Sequence, residues 1–155
     1  MSGIIDARLA ELGITLPQAA APAGSYVPYV VTGNLVVVSG QLPARDGVML
    51  VKGRLGADVS VEQGYEGAKL CAINLIAQIK AAAGGDLDRV KRVLRLGGFV
   101  AATPEFTDHP KVINGASDLF VAVFGEAGRH ARAAVGAPSL PLGVAVEVDA
   151  IVELV

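Results

Sequence analysis

The stretch GRHARAAVGAPSLPLGVAVEVDA, Gly128–Ala150, decides how the chain is read. Two runs rich in Val and Ala, one around Arg132 and one around Glu147, look like β-strands joined by a turn containing Pro138 and Pro141. Side chains alternate faces along a strand. In the second run Val144, Val146, Val148, Ala150 and Val152 share one face, and Ala145, Glu147, Asp149, Ile151 and Glu153 share the other. In the first, Arg132, Ala134 and Gly136 oppose Ala131, Ala133 and Val135. Read as a hairpin, the pattern puts the apolar set under helices. Arg132 and Glu147, with Ser39, then fall on the sheet face turned away from them. Two meanings are open. A cross-strand ion pair at a subunit interface is the commoner one and says little about stability. A guanidinium beside residues as small as Ala134 and Gly136 also leaves room for a ligand, and its planar fork suits a carboxylate.

The bulk numbers narrow the class. A chain of 155 residues suits one domain, 1–155, with a helix and arm over about 1–25. It is 52% hydrophobic and 18% charged, with a mean hydropathy of +0.52. The uncharged stretch Gly13–Ala44 is broken by Pro17, Pro22 and Pro28, which argues against a membrane span. MSGIIDARLAELGI carries Asp6 and Glu11 and does not resemble a secretory signal. The excess of apolar residues is therefore expected to be covered by other subunits. Cys71 is the lone cysteine, so a cytoplasmic setting is the default. With only His109 and His130 beside it, and no CxxC or HxxxH, a zinc or iron site is not expected. A net charge of −2, a pI near 5.6 and 5% aromatics give nucleic-acid binding no support.

Residues 2–12 read as a short amphipathic helix with Ile5, Leu9 and Leu12 on one stripe, followed by an irregular Pro/Ala/Gly arm over 13–25. Thr32-Gly33-Asn34 separates two β-branched runs, a hairpin signal. Leu35–Val38 is apolar on both faces, which a strand needs only when both are covered. Ser60 and Gln63 form a capping box for a helix reaching about Ala83, where Gly84 and Gly85 stop it. Ala68, Cys71, Ala72, Leu75, Ile76 and Ile79 recur inside it at helical spacing, and Cys71 reads as a small core residue. A turn over 86–90, a strand over 92–102 and a helix over 110–124, with Ile113, Ala116, Phe120 and Val123 inward, lead to the closing hairpin. The expected architecture is α+β: a mostly antiparallel sheet with two long helices on one face. His109 and His130 read as loop or turn residues without a role.

SYVPYVVTGNLVVVSGQLP, a long helix, a strand, VINGASDLF and HARAAVGAPSLPLGVAVEVDA together resemble the RidA/YjgF family, the reactive intermediate deaminases formerly called L-PSP endoribonucleases. The resemblance covers about residues 24–154, and the final R-x7-LP-x5-E spacing is its most specific part. The longer N-terminus points to a RidA-like subgroup. It implies a chorismate-mutase-like fold, a homotrimer, and ligand clefts between adjacent subunits. It carries Arg132 onto the carboxylate-binding arginine and Glu147 onto the acid that positions or activates water. Tyr26, Ser39 and Asn114 fall on further pocket positions. Ala134 stands where the archetype has a cysteine, so only its backbone can serve the cleft, and residues 107–111 look like an insertion.

The activity implied is hydrolysis of 2-enamine or 2-imine acids to 2-oxo acids and ammonia, with no metal or organic cofactor. Arg132 would hold the substrate carboxylate and Glu147 would orient a water and move protons. The rival reading is a non-catalytic protein that binds small carboxylates in the same cleft. The expected partners are a small-molecule substrate and further copies of the chain, not nucleic acid or a membrane. A ribonuclease fits poorly with the acidic pI and the lack of a histidine pair.

Overall fold

The computed structural model describes residues 3–21 and 24–155; Ser2 of the expected first helix and Pro22 and Ala23 of the arm lie outside them. Helix α1, Ile4–Glu11, starts at Gly3. Its first free N–H groups, those of Ile4 and Ile5, donate to the Asp88 carboxylate at 3.0 and 2.9 Å, the satisfaction a helix start needs. Leu9 is buried, but Leu12 is the C-cap and stays exposed, so the expected stripe ends at Leu9. The hairpin of β1, Tyr29–Thr32, and β2, Leu35–Gln41, closes through Gly33 and Asn34, with Gly33 at φ +59. A short ribbon follows, β3 (Ala44–Arg45) and β4 (Val48–Met49). Its turn is Asp46-Gly47, both at positive φ, a signal the sequence carries plainly.

Helix α2, Val61–Ala82, opens on the expected capping box: Gln63 N–H donates to Ser60 Oγ, and Ser60 N–H donates to Gln63 Oε1. A 3-10 turn, Leu87–Arg89, leads into β5, Val90–Ala101. Helix α3, His109–Phe124, and a second 3-10 turn, Gly125–Gly128, lead to β6, Ala131–Ala137. The chain ends on β7, Val146–Leu154.

The closing strands are not a hairpin. The sheet order is β1-β2-β7-β5-β6: β7 lies between β2 and β5, and β6 is an edge strand parallel to β5. A parallel neighbour needs a crossover, and α3 supplies it. Residues 138–145 then carry the chain past the end of β5. Pro141–Gly143 form a 3-10 turn within them, and Leu142 sits at φ +58. The rest of the sheet is antiparallel, as expected.

Helices α2 and α3 cover one face of the sheet. Val36 and Val38 of β2, Val93, Leu96 and Val100 of β5, and the even-numbered residues 146–154 of β7 are buried beneath them. Leu75, Ile76, Ile79, Ile113 and Phe120 come down from the helices, and Cys71 is fully buried in the same core. The helices touch closely because Gly115 has no Cβ where the Tyr65 carbonyl passes. The other face is uncovered in the single chain. Val30, Val37 and Ile151 form one row across it, and Glu147, Phe99 and Val135 another. Val30, Val37 and Val135 are 52%, 44% and 47% exposed, too much apolar surface in one place for a free sheet face. Among the described residues, no helix is long and apolar enough to cross a membrane.

Candidate functional site

The register places Arg132 and Glu147 on opposite faces. Arg132 pairs with Leu96, which pairs with Ala150, and both neighbours are buried under the helices. Glu147 pairs with Phe99, which pairs with Val135, on the uncovered face. The expectation that the two charges share a face is therefore corrected. It rested on a hairpin, and the intervening β5 removes it. Neither residue makes an ion pair among the described residues, so the simple cross-strand pair is excluded within the chain.

Arg132 belongs to a polar cluster between β6 and α3. Its Nη1 donates to Asn114 Oδ1 at 2.8 Å and to Ser117 Oγ at 3.1 Å. Asn114 and Ser117 are one helical turn apart and so share the face turned to β6. Both Nη1 hydrogens are thereby used. The Nε–H and Nη2–H, which lie side by side on the other edge of the guanidinium, have no partner among the described residues. That edge is a two-pronged donor with the spacing of a carboxylate. Ala134 follows on the same face and is half-buried. Gly136 does not leave the expected space, because the His109 ring lies where its Cβ would be.

His130 extends the cluster. Its Nδ1 is 2.6 Å from the Gly128 carbonyl and its Nε2 is 2.8 Å from Ser117 Oγ. Burial lowers its pKa; the bond to Gly128 works the other way, and Arg132 and Arg92 lower it further. Ser117 and His130 were not among the expected site residues. The signal lies in the spacing: Ser117 is three residues after Asn114 on a helix, and His130 immediately precedes β6, two residues before Arg132.

Glu147 stands with the other expected residues at the opposite end. The register between β2 and β7 shifts between Val38 and Gln41, so Ser39 and Gly40 form a bulge. The Glu147 carboxylate packs on Gly40, where a Cβ would come within 2.6 Å of its Oε2. Ser39 Oγ donates to the Val27 carbonyl at 2.7 Å and so ties down the segment after Tyr26. Tyr26 is 56% exposed and, with Gly40, lines a groove of about 1220 Å³ that runs between the arm, the β3–β4 ribbon and α2. Burial first, and then Asp149 two residues along the same face, raises the Glu147 carboxyl above its ordinary value. Asp149 itself is held 3.7 Å from Arg95. A half-buried carboxyl with a raised pKa and no cation beside it is suited to taking up and returning a proton.

The expected residues thus fall into two groups on each chain. Arg132, Asn114 and Ala134 gather at the β6 edge; Glu147, Ser39 and Tyr26 gather at the bulge of β2. The uncovered face and the β6 edge are both open to a second copy.

Comparison with known proteins bears on the family and the fold. A curated relative, Protein TCP17 of Trypanosoma cruzi, is 54% identical over 154 residues, which is 99% of this chain and 96% of that one. The crystal structure of Atu1372 from Agrobacterium tumefaciens, a protein of unknown function, superposes with a TM-score of 0.91 at 54% identity. The match covers 97% of this chain and 92% of that one. RidA from an Antarctic Psychrobacter gives a TM-score of 0.61 at 29% identity, over 88% and 94% of the two chains. The family model for the YjgF/chorismate mutase-like endoribonucleases matches residues 6–154, and the chain belongs to that family.

Proposed function

We propose that the chain hydrolyses short-lived 2-imino or 2-enamino acids to 2-oxo acids and ammonia, as a homotrimer in a cytoplasmic setting. The cleft brings the Arg132 group of one copy against the Glu147 group of the next. The observation that carries this reading is the Arg132 guanidinium. It is anchored through one nitrogen by Asn114 and Ser117, its carboxylate-sized edge is directed elsewhere, and no acid among the described residues is paired with it. A structural arginine on an edge strand has no need of such an arrangement.

In this reading the substrate carboxylate receives two charge-assisted bonds from Nε and Nη2, which fix the adjacent imine carbon. Glu147 accepts a proton from water as the C–O bond forms and passes it to the imine nitrogen, giving a neutral carbinolamine. Glu147 then takes the hydroxyl proton as the C=O bond forms and gives it to the nitrogen as the C–N bond breaks, so that ammonia leaves and the 2-oxo acid remains. Ala134 contributes backbone and no nucleophile, so catalysis rests on positioning and proton transfer. The test is release of 2-oxo acid from 2-iminopropionate generated in place by an amino-acid oxidase, with semicarbazide competing for the imine. Wild type accelerates release and Arg132→Ala does not. If wild type fails on several imino acids yet binds pyruvate, the cleft is a carboxylate-binding site without turnover.

A further inference from the structure

The hydrogens in the Arg132 cluster can be placed from its partners. The Gly128 carbonyl can only accept, so the proton on the His130 ring is on Nδ1. The neutral ring then presents a lone pair at Nε2, and Ser117 must donate its single hydroxyl hydrogen there. That leaves the Ser117 lone pairs facing Arg132, whose Nη1–H they accept. The chain Gly128–His130–Ser117–Arg132 therefore has one direction, set by a backbone carbonyl at its end. Phe120 closes one side of the ring edge-on at 6.3 Å. Arg132 on β6 and Arg92 on β5 are the charged groups that act on the ring. Arg92 in turn clamps the Arg129 carbonyl through Nε and Nη2, which fixes the chain entering β6.

We infer that His130, acting through Ser117, is a positioning residue that locks the Arg132 guanidinium with its Nε–Nη2 edge toward the substrate carboxylate. This rests on the reading of Arg132 as the carboxylate clamp. Without an acceptor at position 130, the Ser117 hydroxyl is released from its fixed direction. It can then donate to Asn114 Oδ1 and compete for the acceptor that holds Arg132 Nη1. Both anchors of the guanidinium loosen together, while Glu147 at the other group is untouched. The loss therefore appears in substrate capture and not in the chemical step.

Four proteins test this: wild type, His130→Leu, Ser117→Ala and His130→Gln, each checked for folding by its melting transition. Gln carries an oxygen near the Nε2 position and keeps the acceptor. His130→Leu and Ser117→Ala are expected to raise KM for 2-iminopropionate about tenfold with kcat nearly unchanged, the scale of one charge-assisted bond, and His130→Gln to stay within about threefold of wild type. In 15N spectra the wild type should show His130 protonated at Nδ1 and the Arg132 Nη1 hydrogens protected. That protection is lost in the Leu and Ala variants and kept in Gln. Unchanged KM in both disruptive variants, or a Gln variant as impaired as Leu, overturns the inference. Should wild type neither hydrolyse the imine nor bind pyruvate, the functional reading falls, and the spectra alone then decide whether His130 and Ser117 hold Arg132.

Discussion

Because Arg132 and Glu147 face opposite ways on strands that flank β5, one chain cannot bring both to the same small molecule. The strands are two spacings apart, roughly 10 Å, before the sheet itself is counted as a barrier. In a 2-imino acid the carboxylate and the imine carbon are bonded neighbours, so the two side chains must converge. On the proposed reaction that requires two chains, and it can be tested by mixing defects. Arg132→Ala removes two charge-assisted bonds at roughly 1.5–3 kcal/mol each, or on the order of 10²–10⁴ in kcat/KM. Glu147→Gln removes the proton carrier, also worth roughly 10²–10⁴. Each variant alone is close to inactive. When they are co-expressed in equal amounts, a cleft is intact only if its Arg132 side comes from the Glu147→Gln chain and its Glu147 side from the Arg132→Ala chain. The chance is one half times one half, so activity should return to about one quarter of wild type for any closed ring. A control mixes wild type with the double variant. Clefts within single chains would give about one half of wild-type activity, and clefts between chains about one quarter. The assay is 2-oxo acid release by the whole co-assembled population, purified through one tag carried by every chain. Activity in the mixed variants no higher than that of the parents would refute the reasoning, as would one half in the control.

Two further outcomes follow from the helix layer. Gly115→Ala places a methyl against the Tyr65 carbonyl, which is backbone and cannot swing aside. The overpacking cost of about 1–3 kcal/mol should outweigh the roughly 1 kcal/mol gain in helix propensity and lower the melting temperature; an unchanged or higher value would show that α2 and α3 separate freely. Tyr65 donates to Asp118 Oδ2 at 2.7 Å, and that bond, helped by burial, pushes its pKa up to about 12. Its folded-state value lies above the ordinary 10.0, so the bond's contribution is complete below that pH and lost as pH rises toward about 12. Ultraviolet titration should show one of the three tyrosines ionising late, and Tyr65→Phe should remove that late step.

Much of the architecture was legible because it is local. The Ser60–Gln63 box, the Gly33-Asn34 turn and the helical spacing of Cys71 to Ile79 are each set by neighbours within a few residues, and each appears where the pattern put it. The Asp46-Gly47 ribbon is equally local, but its strands of two residues each are too short to show an alternation of faces. The failures were in pairing. Alternation along Ala131–Ala137 and Val146–Leu154 correctly grouped each strand's residues by face, but it could not say which strand lies beside which.

The sequence by itself determined the α+β class, the two helices over one sheet face, the apolar stripe of each element and the individual residues that stand out chemically. Those follow from backbone periodicity and turn chemistry, which act over short distances. Only the tertiary structure decided that β7 inserts between β2 and β5, that α3 carries β6 to a parallel edge, and hence that Arg132 and Glu147 look away from each other. It alone placed Asn114, Ser117 and His130 around one guanidinium nitrogen. Strand order depends on how whole elements bury their apolar faces together. That balance is set by contacts far apart in the chain, and no single stretch contains it.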